Sequence, residues 1–233
     1  MKQFLSNILK LTQYNIKIIF GNKFIYFVLS AVVLFVITSI LNLMSNNEFM
    51  ESTAYNVLLV PSILIIFYPM CFGIQNDQDA KIIEIIFGIP NYRYKVWLFR
   101  LLIAYVICFV ITFFLAALTN WLLVEISVTE LTLQVMVPAF LIGTLSFMFS
   151  TIVRNGSGTA VIIIIIGLVF FIWSAFLATS KWNIFINPFD LPSNMNPILF
   201  KSLLVDNRLI MLTASVIAML IGLYKTQERE KYI

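Results

Sequence analysis

Residues Asp77–Arg100, DQDAKIIEIIFGIPNYRYKVWLFR, form a charged island between two long apolar runs, Ala54–Ile74 and Val96–Val124. Each run reaches the roughly 20 residues that a helix needs to cross a hydrocarbon core. The island is therefore a connection at a membrane surface. Within it, Ile82, Ile83, Ile86 and Phe87 recur at three- and four-residue spacing on one helical face, while Asp77, Lys81, Glu84 and Gly88 share the other. Asp77 and Asp79 suit a helix start, where free amides and the dipole favour negative charge. Gly88 suits a left-handed cap, and Pro90 forbids continuation. The pattern predicts an amphipathic helix over 78–88, followed by the basic residues Arg93, Lys95 and Arg100.

Working outward, six segments are apolar and long enough to span: Phe24–Met44, Ala54–Ile74, Val96–Val124, Leu133–Val153, Gly158–Ala178 and the shorter Leu209–Tyr224. They far exceed the alternating segments of about ten residues used by membrane barrels. The expected fold class is thus all-α integral membrane. Composition agrees: 61% of the 233 residues are hydrophobic and 11% charged, and mean hydropathy is +0.98. Soluble domains carry about 25% charged residues.

The expected organisation is an N-terminal segment 1–23, a six-helix transmembrane domain 24–224 and a tail 225–233. In the first segment Phe4, Leu5, Ile8, Leu9, Leu11 and Ile19 are interleaved with Lys2, Asn7, Lys10, Gln13 and Lys17. That pattern predicts an amphipathic helix lying in the interface, with a cytosolic tail as the alternative. No cleavable signal is evident.

Lysine and arginine counts in the connections predict orientation. The N-terminal flank holds four, the 75–95 connection with Arg100 four, the fourth connection Arg154 alone, and the tail three. The other side holds Lys181, Lys201 and Arg208, all in its last and longest loop. Both termini and the island are therefore expected in the cytosol. The loop 179–207 mixes Trp182, Phe185, Phe189 and Phe200 with Pro188, Pro192 and Pro197. It reads either as short interfacial helices, a lid over an exit path, or as a packed loop closing the bundle. Pro61, Pro69 and Pro138 are expected to bend their helices. Gly143, Ser146 and Ser150 form a small-residue stripe, suited to helix contact or to a groove.

Several function classes lose support here. The net charge of +4 follows topology rather than a groove, so nucleic acid is not an expected partner. There is no histidine, hence no usual general base or proton relay, and Cys71 and Cys108 alone make a poor metal site. Catalysis in this chain is not expected. No acid falls inside any predicted span, and Arg100 is the only ionisable residue within one, which argues against ion-coupled transport. No GxxxxGK[ST] loop is present. A transporter of this composition needs a partner to supply its energy, and the island is the handle it offers.

Glu84, Pro90, Arg93 and Arg100 have the spacing of a known signature: a glutamate, a proline six residues on, an arginine three further, and a basic residue ten beyond the proline. In this the chain resembles the permeases of type-2 ATP-binding-cassette exporters, the O-antigen, drug and bacteriocin-immunity class. Gly143–Ala160, GTLSFMFSTIVRNGSGTA, resembles the same family's fourth helix, inner loop and fifth-helix start. The chain departs at Lys81 and Ile82, where many members carry Gly-Thr, and at Phe99, where glycine is common.

The resemblance implies a bacterial plasma-membrane exporter built from two permeases, a second copy or a related chain, and two ATP-binding subunits. ATP and Mg would bind in those subunits, with no cofactor in this chain. The helix over 78–88 would be the coupling helix, and Asp79, Lys81, Ile82, Ile83, Glu84, Ile86, Phe87, Pro90, Arg93 and Arg100 the ATPase-coupling residues. Membrane lipids are further expected partners. An apolar bundle with small outer loops suits a hydrophobic or amphipathic substrate: a lipid, an antimicrobial peptide or a drug. The alternatives are a membrane scaffold recruiting a partner that is not an ATPase, and an autonomous channel.

Overall fold

A computed structural model describes residues 24–44, 49–81, 83, 86, 88, 92–193 and 195–227. The segment 1–23 and most of the tail 225–233 lie outside the described residues. Among the described residues, six helices are long and apolar enough to cross a membrane. They are α1 (Phe24–Met44), α2 (Glu51–Asp79), α3 (Phe99–Leu122, entered through a π-helical stretch Arg93–Leu98), α4 (Val128–Val153), α5 (Gly156–Trp173) and α6 (Pro197–Lys225). Among the described residues there are no strands. Lipid offers backbone groups no partner, so each apolar run satisfies its own hydrogen bonds as a helix.

Several helices run past the expected bounds, because polar residues at a helix end can reach the interface while their backbone stays helical. α2 continues from Ile74 to Asp79, and α6 begins at Pro197, not at Leu209. The expected loop 179–207 is therefore shorter. Its last eleven residues, with Lys201, form the first turns of α6, which also holds Arg208. What remains after α5 is, among the described residues, a chain of turns and irregular backbone without an α-helix. That loop is packed, with Ile184 and Ile186 buried. Asn187 Nδ2 donates to Ser52 O at 2.8 Å, fastening it to the start of α2. Its buried isoleucines and this hydrogen bond make the loop part of the bundle's packing.

α2 and α4 form the centre. α2 meets α1, α3, α4 and α5, and α4 meets α2, α3, α5 and α6. About two thirds of the apolar stretch of α2 is buried by protein (67%), against 17% for α1 and 22% for both α5 and α6. Small residues allow the close approach. A side chain at Gly143 would run into Tyr105 Oη and come within 2.8 Å of Ile66, and one at Gly222 would come within 2.7 Å of the Phe147 ring. The stripe of Gly143, Ser146 and Ser150 is buried, so at Gly143 it serves helix contact.

The α4–α5 turn needs two residues. Arg154 caps α4 in the left-handed region, at φ 58. Asn155 caps α5, its Oδ1 accepting from Gly158 N at 2.8 Å. Gly156 N donates to Gln75 Oε1 of α2 at 2.6 Å. This turn, the end of α2, the entry to α3 and the end of α6 thus share one end of the bundle, called the termini side below.

Candidate functional site

The charged island is built differently from the sequence expectation. Asp77 and Asp79 do not open a helix; they form the last turn of α2, whose cap is Ala80. Lys81 then takes a left-handed conformation, φ 55, and breaks the run. An L-residue pays about 1–2 kcal/mol for that geometry, so the break is held by its surroundings. Two acids at a helix C-terminus face the unfavourable end of the dipole. A partner explains one of them.

That partner is Arg100, 23 residues away on α3. Its Nη1 donates to Asp77 Oδ2 in an ion pair with both side chains buried, 10% and 2% exposed. The π-helical entry to α3 carries Trp97 one turn before Arg100. The guanidinium lies over the Trp97 ring, 5.3 Å from its centroid, a cation–π arrangement. Trp97 in turn leans on Phe147 of α4, with ring centroids 6.3 Å apart. The expectation that no acid lies within a span fails here. Asp77 belongs to the buried helix α2; local pattern alone places it at a helix start, because its partner is remote in sequence.

Beyond the break, two of the expected apolar-face residues are described, and both lie inside the bundle. Ile83 and Ile86 are helical and buried, and they join one core cluster with Ile74, Trp97, Leu101, Phe147 and Leu223. Asp79, Ala80, Lys81 and Gly88 are exposed. Tyr92 is buried, and its hydroxyl donates to Thr226 O at 2.6 Å, immediately after α6. The island is thereby tied to α2, α3 and α4 and to the end of α6.

Of the expected coupling residues, the structure brings Ile83, Ile86 and Arg100 into this one cluster and leaves Asp79 and Lys81 on its surface. Arg93 starts the π-helical stretch. Ile82, Glu84, Phe87 and Pro90 lie outside the described residues. Asp77, Trp97, Tyr92 and Thr226 were missed as site residues. For Asp77 the available signal was a second charge, Arg100, placed inside an apolar run and needing a counter-charge.

A second polar network lies toward the opposite end. Arg208 Nε donates to Gln134 Oε1 at 2.9 Å and its Nη1 to Asn207 Oδ1 at 3.0 Å. Asn207 is fully buried and donates to the Lys181 and Asn183 carbonyls, both at 2.9 Å. Arg100 is therefore not the only ionisable residue within a membrane helix. No family model, no curated protein and no solved structure matches this chain.

Proposed function

We propose that this chain is the permease subunit of an ATP-driven exporter of the ATP-binding-cassette type, moving a hydrophobic or amphipathic substrate with energy from a separate ATP-binding subunit. In this reading the termini side faces the cytosol of a bacterial plasma membrane, and the permease works as a pair. The observation that carries it is the junction after α2. Its apolar residues Ile83 and Ile86 are seated in the bundle while Asp79 and Lys81 stay exposed. A push on such a segment reaches α2 and α3 directly, because the Asp77–Arg100 pair joins them just above it. It reaches α6 through Tyr92 and Thr226. The partner's contacts then fall to Asp79, Lys81 and Glu84, and the isoleucines anchor the segment.

This assignment decides which variants test the reading. Ile83→Asp would put a charge into the core and report on folding. Asp79→Lys with Lys81→Glu inverts two exposed charges and leaves the core intact. Affinity purification of the tagged chain from its native membrane should recover a stoichiometric subunit with a phosphate-binding loop, and the inverted variant should recover at least tenfold less. Recovery of a different cytosolic protein in its place would favour the scaffold, and single-channel current from the chain alone would favour a channel. Equal recovery of the ATPase by the inverted variant would remove these two residues from the contact.

A further inference from the structure

An open cleft of about 450 Å³ lies away from the termini side, between the start of the 174–196 loop and the first turns of α6. Lys181 and Trp182 line it from the loop, Ser202 and Asp206 from α6. All four residues are exposed, so the cleft is walled by side chains that a ligand can reach. Lys181 and Asp206 carry opposite charges, yet neither side chain has an ion pair or a hydrogen bond with a described residue. The two walls are nevertheless fastened together. Asn207, fully buried and next to Asp206, donates to the Lys181 and Asn183 carbonyls, both at 2.9 Å. Lys181 and Asp206 therefore rise from tied backbone at the same depth in the bundle.

The sequence of α6 sets that depth. Its charged residues Lys201, Asp206 and Arg208 all precede Leu209, and none follows until Lys225. The uncharged run Leu209–Tyr224 rises about 24 Å, most of a hydrocarbon core. Asp206 thus sits where that core gives way to headgroups, and Trp182 is of a residue type enriched at this level. On the Asp206 face of α6, three and ten residues further along, Leu209 and Val216 are exposed, which leaves acyl chains a surface below the cleft. We propose that the cleft binds the headgroup of a zwitterionic phospholipid, its phosphate on Lys181 and its ammonium on Asp206. Such a headgroup carries both charges on one short linker and satisfies both walls at once. An anionic headgroup would match Lys181 but meet repulsion from Asp206. The proposal requires only that the bundle sits in a bilayer and does not depend on the exporter reading.

Native mass spectrometry of the full chain, released from detergent micelles, reads the first lipid bound from a pair with matched dioleoyl chains. Dioleoylphosphatidylethanolamine should bind about fivefold more tightly than dioleoylphosphatidylglycerol, the range for one exposed charge pair. Lys181→Gln should weaken the ethanolamine lipid by about three- to fivefold. Asp206→Asn should weaken it by a similar factor without weakening the glycerol lipid. Asp206→Lys should reverse the preference, a change that mere loss of structure would not produce. Lys201→Gln, exposed on the same helix but off the cleft, should alter neither affinity. Glycerophosphoethanolamine, the headgroup without its chains, should not compete at equal concentration. The proposal is overturned if the unmodified chain shows no preference or favours the glycerol lipid, if Asp206→Lys leaves the order unchanged, or if Lys201→Gln acts as strongly as Lys181→Gln. Competition by glycerophosphoethanolamine equal to that of the lipid would assign the cleft to a soluble zwitterion, and would also overturn it.

Discussion

The Asp77–Arg100 pair makes a quantitative prediction about the bundle. Both side chains are nearly enclosed, and the pair joins α2 to α3. Unit charges about 4 Å apart attract by about 4 kcal/mol at the effective dielectric of a partly relaxed protein site. Removing one partner of a buried pair costs about 3–5 kcal/mol, since the other charge is left unmatched. Asp77→Ala should fall in that range. Arg100→Ala should match or exceed it, because it also loses the Trp97 contact, about 0.5–2 kcal/mol. Asp77→Asn keeps an oxygen acceptor and should cost less than Asp77→Ala. The double variant Asp77→Ala/Arg100→Ala leaves no orphan charge and should cost well under the sum of the two alanine variants. Unfolding of the full chain by SDS in mixed micelles, followed by tryptophan fluorescence, gives the four free energies. Single and double effects that add to within about 0.5 kcal/mol would mean the two residues do not interact, and the coupling between α2 and α3 drawn here would be wrong.

Other substitutions probe the same end of the bundle. Gly156→Ala would force a side chain against Phe72 and to within 2.8 Å of Gln75 Oε1; overpacking of this kind should destabilise by about 1–3 kcal/mol in the same assay. Lys81→Gly should leave stability unchanged or raise it by up to about 1 kcal/mol, whereas Lys81→Val should lower it, because φ 55 suits glycine and opposes a β-branched residue. Tyr92→Phe removes the hydrogen bond to Thr226 O; a cysteine placed at Thr226, which is 1% exposed, should then react faster with a polar maleimide. At the other end, Asn207→Leu strips the Lys181 and Asn183 carbonyls of their donor. Limited proteolysis should then cut the 174–196 loop sooner, while cleavage at the 154–155 turn stays unchanged.

Much of the architecture was readable from local pattern. Each of the six apolar runs must close its own backbone hydrogen bonds in lipid, so length and hydropathy sufficed to count the helices. Ends were less readable. Hydropathy marks where apolar residues stop, but α2 and α6 stay helical through Gln78–Asp79 and from Pro197, where polar side chains replace apolar ones. The island shows the limit most clearly. Of its expected apolar face, Ile83 and Ile86 are described, and both are buried. The isoleucine spacing carries no mark of the turn at Ala80–Lys81, and it assigned Asp77 and Asp79 to the wrong helix.

From its residue order alone, this chain is committed to six long apolar helices, since each depends on groups within one or two turns of each other. Which side chains meet across the bundle depends on how each helix is rotated about its axis. That rotation is settled by shape, by where Gly143, Gly156 and Gly222 admit a neighbour. It brings Asp77 to Arg100, Gly156 to Gln75 and Asn207 to the 181–183 backbone, across sequence separations at which no periodicity carries information.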